Sequence, residues 1–162
     1  CFKSGRRFVH DELGYNFRMS NLQAAIGFAQ FERLPQFIKK KRLTGDLYRA
    51  RLKELDLIEL QQDSTEYAQN IYWVFGFVLK EGVPFDADCL MRKLAEKGIS
   101  TRPFFYPMHE QPILHKMGLF KDERYPVAER IARRGLYVPS GLAITPQQIE
   151  FVAGEVKKYI LG

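Results

Sequence analysis

Four of the prolines in the second half of the chain leave little freedom in how it folds. Pro103 and Pro139 each follow a short run of β-prone residues, and Pro126 and Pro146 each open a helical pattern. Proline lacks the N–H that a strand ladder needs, yet its fixed φ suits the first turn of a helix. Gly98 and Gly135 fall where helical patterns end, a position that glycine favours. Between these marks no element has room to grow long. The pattern predicts strand, strand, helix, strand, helix, strand, helix from Leu57 onward.

The predicted strands are Leu57–Leu60, a buried central run Ile71–Lys80, Ile99–Arg102 and Leu136–Val138. Ile71–Lys80 is rich in β-branched and aromatic residues, so Tyr72 and Trp73 read as core. Asp86 caps a helix through Lys97, with Leu90, Met91 and Leu94 inward. Thr145-Pro-Gln-Gln148 is a capping box, and Ile149, Val152, Ala153, Val156 and Ile160 form one apolar stripe behind it. Phe104–Phe120 reads as irregular.

The first third is different. Ser20 with Gln23 forms a second capping box. Leu22, Ala25, Ile26 and Ala29 follow at helical spacing, and Pro35 should kink or restart the helix. Leu43 and Leu47 carry the spacing on toward Leu55, where Asp56 breaks it. The expected fold class is therefore α/β (α+β). Residues 1–55 form a loop and long helical arm, and residues 56–162 form a small α/β domain in which helices pack on a sheet.

Composition excludes several classes. A 162-residue chain with 46% hydrophobic and 27% charged residues is ordinary for a globular domain. No apolar run approaches a membrane span, and no leader pattern opens the chain. Cys1 and Cys89 make neither a disulfide framework nor a metal spacing, and His10, His109 and His115 are too scattered for a zinc motif. A cytoplasmic setting fits this cysteine usage. Cys1 in place of methionine suggests a start inside a longer polypeptide. The net charge of +6 could serve nucleic acid, acidic membranes or phosphorylated small molecules. Lys39-Lys-Lys-Arg42, however, reads as a solvated helix face, and no nucleic-acid signature is present. Lys3, Arg6 and Arg7 form a basic opening.

Two segments carry chemistry. In Gly14-Tyr-Asn-Phe-Arg-Met-Ser-Asn21, an amide (Asn16) and a guanidinium (Arg18) precede a capped helix start, a setting that suits phosphate. The plain alternative is a loop that packs Tyr15 and Phe17 and pairs Arg18 with a carboxylate. In Thr101-Arg-Pro-Phe-Phe-Tyr-Pro-Met-His109, a strand end delivers Arg102, and prolines stiffen Phe105 and Tyr106 beside His109. Rigid aromatic walls with a cation suit a sugar nucleotide. The alternative is a hydrophobic plug with a structural histidine.

The first of these segments resembles the Gly-Tyr-Asn-x-Arg-Met-x-Asn-x-x-Ala-Ala-x-Gly motif of the DegT/DnrJ/EryC1/StrS sugar aminotransferases. Asn70–Leu79 and Gly98–His109 agree with that family in order and spacing, nearest to its GDP-perosamine branch. The resemblance implies the small C-terminal domain of a fold-type I aminotransferase that uses pyridoxal 5'-phosphate. It implies amino transfer from glutamate to a 4-keto-6-deoxy sugar nucleotide in polysaccharide biosynthesis, by a homodimer. Asn16 corresponds to the asparagine that reaches the cofactor phosphate of the neighbouring subunit, with Arg18 bracing the loop. Arg102, Phe105, Tyr106 and His109 fall in the substrate loop. The family's cofactor-linked lysine and its aspartate partner belong to a large N-terminal domain, and no lysine here matches. No catalytic residue and no metal ligand carries over, and the chain alone should be inactive. A stand-alone oligomerisation module is the alternative, since small Ala24, Ala25, Gly27 and Ala29 permit close helix approach.

Overall fold

The computed structural model describes residues 13–162. The expectations for Cys1, Lys3, Arg6, Arg7 and His10 lie outside the described residues. The chain divides into two compact units, Cys1–Pro35 and Gln36–Gly162. The larger unit begins at Gln36, within the first turns of the second helix.

In the first unit, α1 spans Asn21–Glu32. Ser20 accepts the Gln23 N–H, and the Gln23 side chain accepts the Ser20 N–H, which completes the expected capping box. None of the twelve residues is buried, and Leu22, Ile26, Phe28 and Phe31 are exposed. Arg33 ends the helix, and α2 restarts at Leu34 with Pro35 in its first turn, where a proline costs no hydrogen bond.

The second unit is built on four strands in the order β1-β2-β4-β3, every neighbouring pair antiparallel. The strands are β1 (Ile58–Leu60), β2 (Phe75–Leu79), β3 (Arg102–Pro103) and β4 (Gly135–Val138), and the helices are α2 (Leu34–Leu52), α3 (Ala87–Ala95), α4 (Pro112–Lys116), α5 (Pro126–Arg134) and α6 (Pro146–Leu161). Successive residues of a strand point to opposite faces. Ile58, Phe75, Phe77, Leu79, Leu136 and Val138 therefore share one face, where they form the core with Tyr48 and Leu52 of α2, Leu90 and Leu94 of α3, and the α6 stripe. All five predicted stripe residues of α6 are buried. Each large side chain so buried contributes about 1.5–3 kcal/mol before entropy is counted.

Four expectations need correction. The buried residues of α2 are Thr44, Gly45, Tyr48 and Leu52, while Leu43 is 55% exposed. The apolar face is set by an aromatic that packs where a glycine leaves room, and leucine spacing does not reveal it. Trp73 is 68% exposed, not core. Tyr72 has φ +50°, a left-handed conformation costly for a bulky residue, and this breaks the strand alternation just before β2. Tyr72 itself is buried, as expected. Its hydroxyl donates to Asp63 at 2.7 Å and its N–H to the Asn70 carboxamide at 2.7 Å. Burial and that carboxylate push its hydroxyl up to about 12. The third strand is Arg102–Pro103 rather than Ile99–Arg102. Gly98 at φ +72° lets the Ile99 N–H return to the Leu94 carbonyl at 3.0 Å, so Ile99 closes α3 and enters the core. Pro103 is tolerated because β3 is an edge strand. Finally, Phe104–Phe120 is not irregular throughout. A 3₁₀ turn covers Met108–Glu110, and Pro112 opens α4.

Candidate functional site

The second face of the sheet carries the candidate site of the larger unit. Register pairs Arg102 with Tyr137, and Tyr137 with Gly76. Gln61 continues the row beyond β1, where its carboxamide oxygen accepts the Gly76 N–H at 3.3 Å. Gln61, Gly76, Tyr137 and Arg102 therefore form one line across all four strands, with neighbours about 4.7–4.9 Å apart from strand to strand.

Phe104 anchors the loop that leaves this line. Its ring lies over two glycines: a Cβ built on Gly76 would fall 2.7 Å from it, and one on Gly135 would fall 2.0 Å from it. The ring also packs on Tyr137 with centroids 4.6 Å apart. Phe105, 77% exposed, meets Tyr137 edge-on at 6.4 Å. Burial raises the Tyr137 hydroxyl above the usual phenol range. Arg102 is exposed.

Further along, His109 is buried. Its Nε2 faces Glu129 at 3.1 Å, its ring meets Tyr125 edge-on at 4.8 Å, and its carbonyl accepts the His115 Nε2–H at 2.6 Å. Glu129 also accepts the Tyr125 N–H at 3.0 Å, and Glu110 pairs with Arg133 at 2.7 Å. Ligand atoms of His109, Glu110 and Glu129 lie within 4.8 Å of one another. Arg133 bonds Glu110 Oε1 and the Tyr125 N–H bonds Glu129, so the group acts as a clamp joining the 3₁₀ turn to α5, while Glu110 Oε2 is buried with no hydrogen-bond partner among the described residues. Phe104, Tyr106, Asp86, Asp88, Glu110 and Arg133 line a cleft of about 360 Å³.

The structure thus splits the sequence-selected set. Arg102 and Phe105 stand with Tyr137 on the sheet face, Tyr106 lines the cleft, and His109 is enclosed by its clamp. Sequence reasoning missed Tyr137, Glu129 and Arg133. Tyr137 becomes visible only once the β3–β4 register is known, because it looks like any aromatic in a strand.

The clamp makes a testable demand on pH. The backbone N–H of Tyr125, followed by the His109 ring, holds the Glu129 carboxyl below its usual value of 4.5. A carboxyl depressed in the folded state adds stability above its unfolded pKa, and that stability is lost as pH falls through the folded value. Thermal unfolding of the chain should therefore lose stability below about pH 4.5, and Glu129→Gln should reduce that slope. Identical slopes for both proteins would refute the clamp.

In the first unit, Asn16 and Arg18 are exposed. The Asn16 carboxamide oxygen accepts the Arg18 N–H at 3.1 Å and its Nε–H at 3.4 Å. Arg18 therefore braces Asn16, and the amide N–H donors of Asn16 stay available ahead of α1, whose first turn holds no acidic residue. The Tyr15 and Phe17 rings are tilted against each other with centroids 5.9 Å apart. Among the described residues no helix is long and apolar enough to cross a membrane.

Comparison with known proteins follows the same lines. The family model for DegT/DnrJ/EryC1/StrS aminotransferases matches residues 1–157. GDP-perosamine synthase of Vibrio cholerae is 32% identical over 96% of this chain and 41% of its own length. EpsN of Bacillus subtilis, described as a pyridoxal phosphate-dependent aminotransferase, is 32% identical over 87% of this chain and 36% of its own length. The crystal structure of DesV from S. venezuelae superposes with a TM-score of 0.81 at 23% identity, over 97% of this chain and 41% of that one. The chain spans about two-fifths of the length of the curated relatives it matches. With its motifs in order and its fold shared, the chain belongs to the DegT/DnrJ/EryC1/StrS aminotransferase family.

Proposed function

We propose that the chain is the C-terminal part of an aminotransferase that moves an amino group from glutamate to a GDP-linked 4-keto-6-deoxy sugar. The observation that carries this reading is the chain-long similarity to GDP-perosamine synthase. The braced Asn16 amide, set ahead of a helix with no acid in its first turn, fits a phosphate group. In this reading Asn16 donates to the phosphate of pyridoxal phosphate in the partner of a homodimer, and Arg18 holds Asn16 in place. The cofactor supplies an electron sink for moving the amino group. Arg102, Phe105 and Tyr106 face the sugar nucleotide, while His109 orders their loop from behind. The lysine that holds the cofactor lies outside these residues, so the chain alone is inactive.

The test compares the 162-residue chain with the longer polypeptide its gene encodes. Each is given pyridoxal phosphate, glutamate and GDP-4-keto-6-deoxymannose, and amino sugar is followed by mass spectrometry. Amino sugar is expected from the longer polypeptide only. Turnover by the chain alone, or stoichiometric borohydride trapping of cofactor on one of its lysines, would overturn the reading. Turnover with only dTDP- or UDP-sugars would overturn the GDP assignment. One observation favours a second reading, a self-association module: α1 leaves Leu22, Ile26, Phe28 and Phe31 uncovered. An upstream reading frame without aminotransferase motifs would select it.

A further inference from the structure

We propose that Tyr137 and Arg102 form an oxyanion-holding pair that takes the diphosphate of the nucleotide substrate. The inference rests on the sugar-nucleotide reading above and assigns the anion to two residues of this chain, one of which, Tyr137, no sequence motif marks.

The argument starts from register. Residues directly opposite on antiparallel strands share a face, with Cβ atoms about 4.5–5.5 Å apart. Arg102 and Tyr137 are such a pair. Among the described residues the Arg102 side chain has no hydrogen bond or ion pair, and neither has the Tyr137 hydroxyl. The other charged side chains near this face are committed elsewhere. Arg130 pairs with Glu59 at 3.0 Å, and Arg133 with Glu110. No acidic residue stands in the Gln61–Gly76–Tyr137–Arg102 row to neutralise the guanidinium.

The pair is also held in place. Phe104 sits on its two glycines and presses on the Tyr137 ring, and Phe105 meets that ring edge-on. A phenol is protonated at neutral pH, and burial moves this one further in the same direction, so it acts as a donor. A planar guanidinium and a hydroxyl donor on one face match the oxygens of a phosphate or a carboxylate. Phe105 decides between them. An exposed aromatic beside the pair offers apolar contact to a ligand that carries a ring next to its anion. A nucleoside diphosphate has that ring, whereas glutamate has none.

The test titrates the 162-residue chain with GDP, inorganic pyrophosphate and glutamate in turn, with labelled arginine Nε and tyrosine ring resonances followed by NMR. GDP should shift the Arg102 and Tyr137 signals saturably, and pyrophosphate should compete for them. Tyr137→Phe should weaken GDP binding about tenfold, and Arg102→Gln more, while the remaining spectrum stays folded. Arg102→Lys should restore part of the loss, since it keeps the charge but not the planar fork. Failure of GDP to move either signal, unchanged affinity in Tyr137→Phe, or shifts produced by glutamate and not by GDP would overturn the pair. This readout is independent of amino transfer. Saturable GDP binding at the pair, with no amino sugar made by the longer polypeptide, would sink the proposed activity and leave the pair standing, and the reverse result would do the opposite.

Discussion

Gly135→Ala is expected to lower the melting temperature of the chain by on the order of 10 °C. The added methyl would sit 2.0 Å from the Phe104 ring and 2.5 Å from the Ile131 carbonyl oxygen. The ring could swing away, but the oxygen belongs to the last turn of α5 and accepts the Gly135 N–H. Relief therefore requires either α5 or β4 to shift. Overpacking of this kind costs typically about 1–3 kcal/mol and more where backbone must move. Gly27→Ala is the internal control. Its Cβ meets nothing within 4 Å, so it should be neutral or stabilise α1 by about 0.5–1 kcal/mol. Circular-dichroism melting of both variants checks the pair, and an unchanged midpoint for Gly135→Ala would refute the packing described for Phe104. Ring contact with Gly76 should also loosen, so the loop bearing Phe105 and Tyr106 should lose its order in the same variant.

The second large effect concerns Arg134. Its guanidinium donates to four backbone carbonyls: Leu79 at 2.9 Å, Lys80 at 2.5 Å, Val83 at 2.9 Å and Phe85 at 3.2 Å. These residues form the end of β2 and the turn into α3. Arg134→Ala removes one charged donor and leaves several part-buried acceptors to water. A loss of about 3 kcal/mol is expected, because hydrogen bonds to charged groups contribute roughly 1.5–3 kcal/mol each and do not add fully. Arg134→Lys should recover less than half, since one ammonium cannot span four diverging acceptors. Urea midpoints compare the three proteins. A lysine variant as stable as the parent would show that charge alone matters.

Much of the fold was legible because its signals are local. Ser20 and Thr145 each cap through the residue three places on, and the α6 stripe repeats at helical spacing. Pro126 opens α5 as its fixed φ favours, and Gly135 ends it in an extended conformation where the Phe104 ring leaves no room for a side chain. What stayed hidden depends on contacts distant in sequence. Tyr48 and Gly45 define the inner face of α2 because a Cβ at Gly45 would lie 2.2 Å from the Tyr72 ring. Nothing near Gly45 in sequence announces a residue 27 places away. Trp73 is outside because Tyr72 turns left-handed, a choice stabilised by Asp63 and Asn70. The candidate site divides the same way. Arg102, Phe105 and Tyr106 stand together in one motif, whereas Tyr137 joins them through strand register, and Glu129 and Arg133 meet the 3₁₀ turn through helix placement.

One further contact bears on how the larger unit carries load. Lys41 Nζ donates to the Ser140 carbonyl at 2.6 Å, and Tyr48 Oη to the Pro139 carbonyl at 2.7 Å. The two donors leave α2 about 10 Å apart along its axis, yet converge on adjacent carbonyls about 3.5 Å apart. Two struts that start far apart and end side by side make a triangle, and a triangle resists torque where a single tether would pivot. The exit of β4 is thereby welded to α2, so a push on the helix is delivered to the strand that bears Tyr137 without slack.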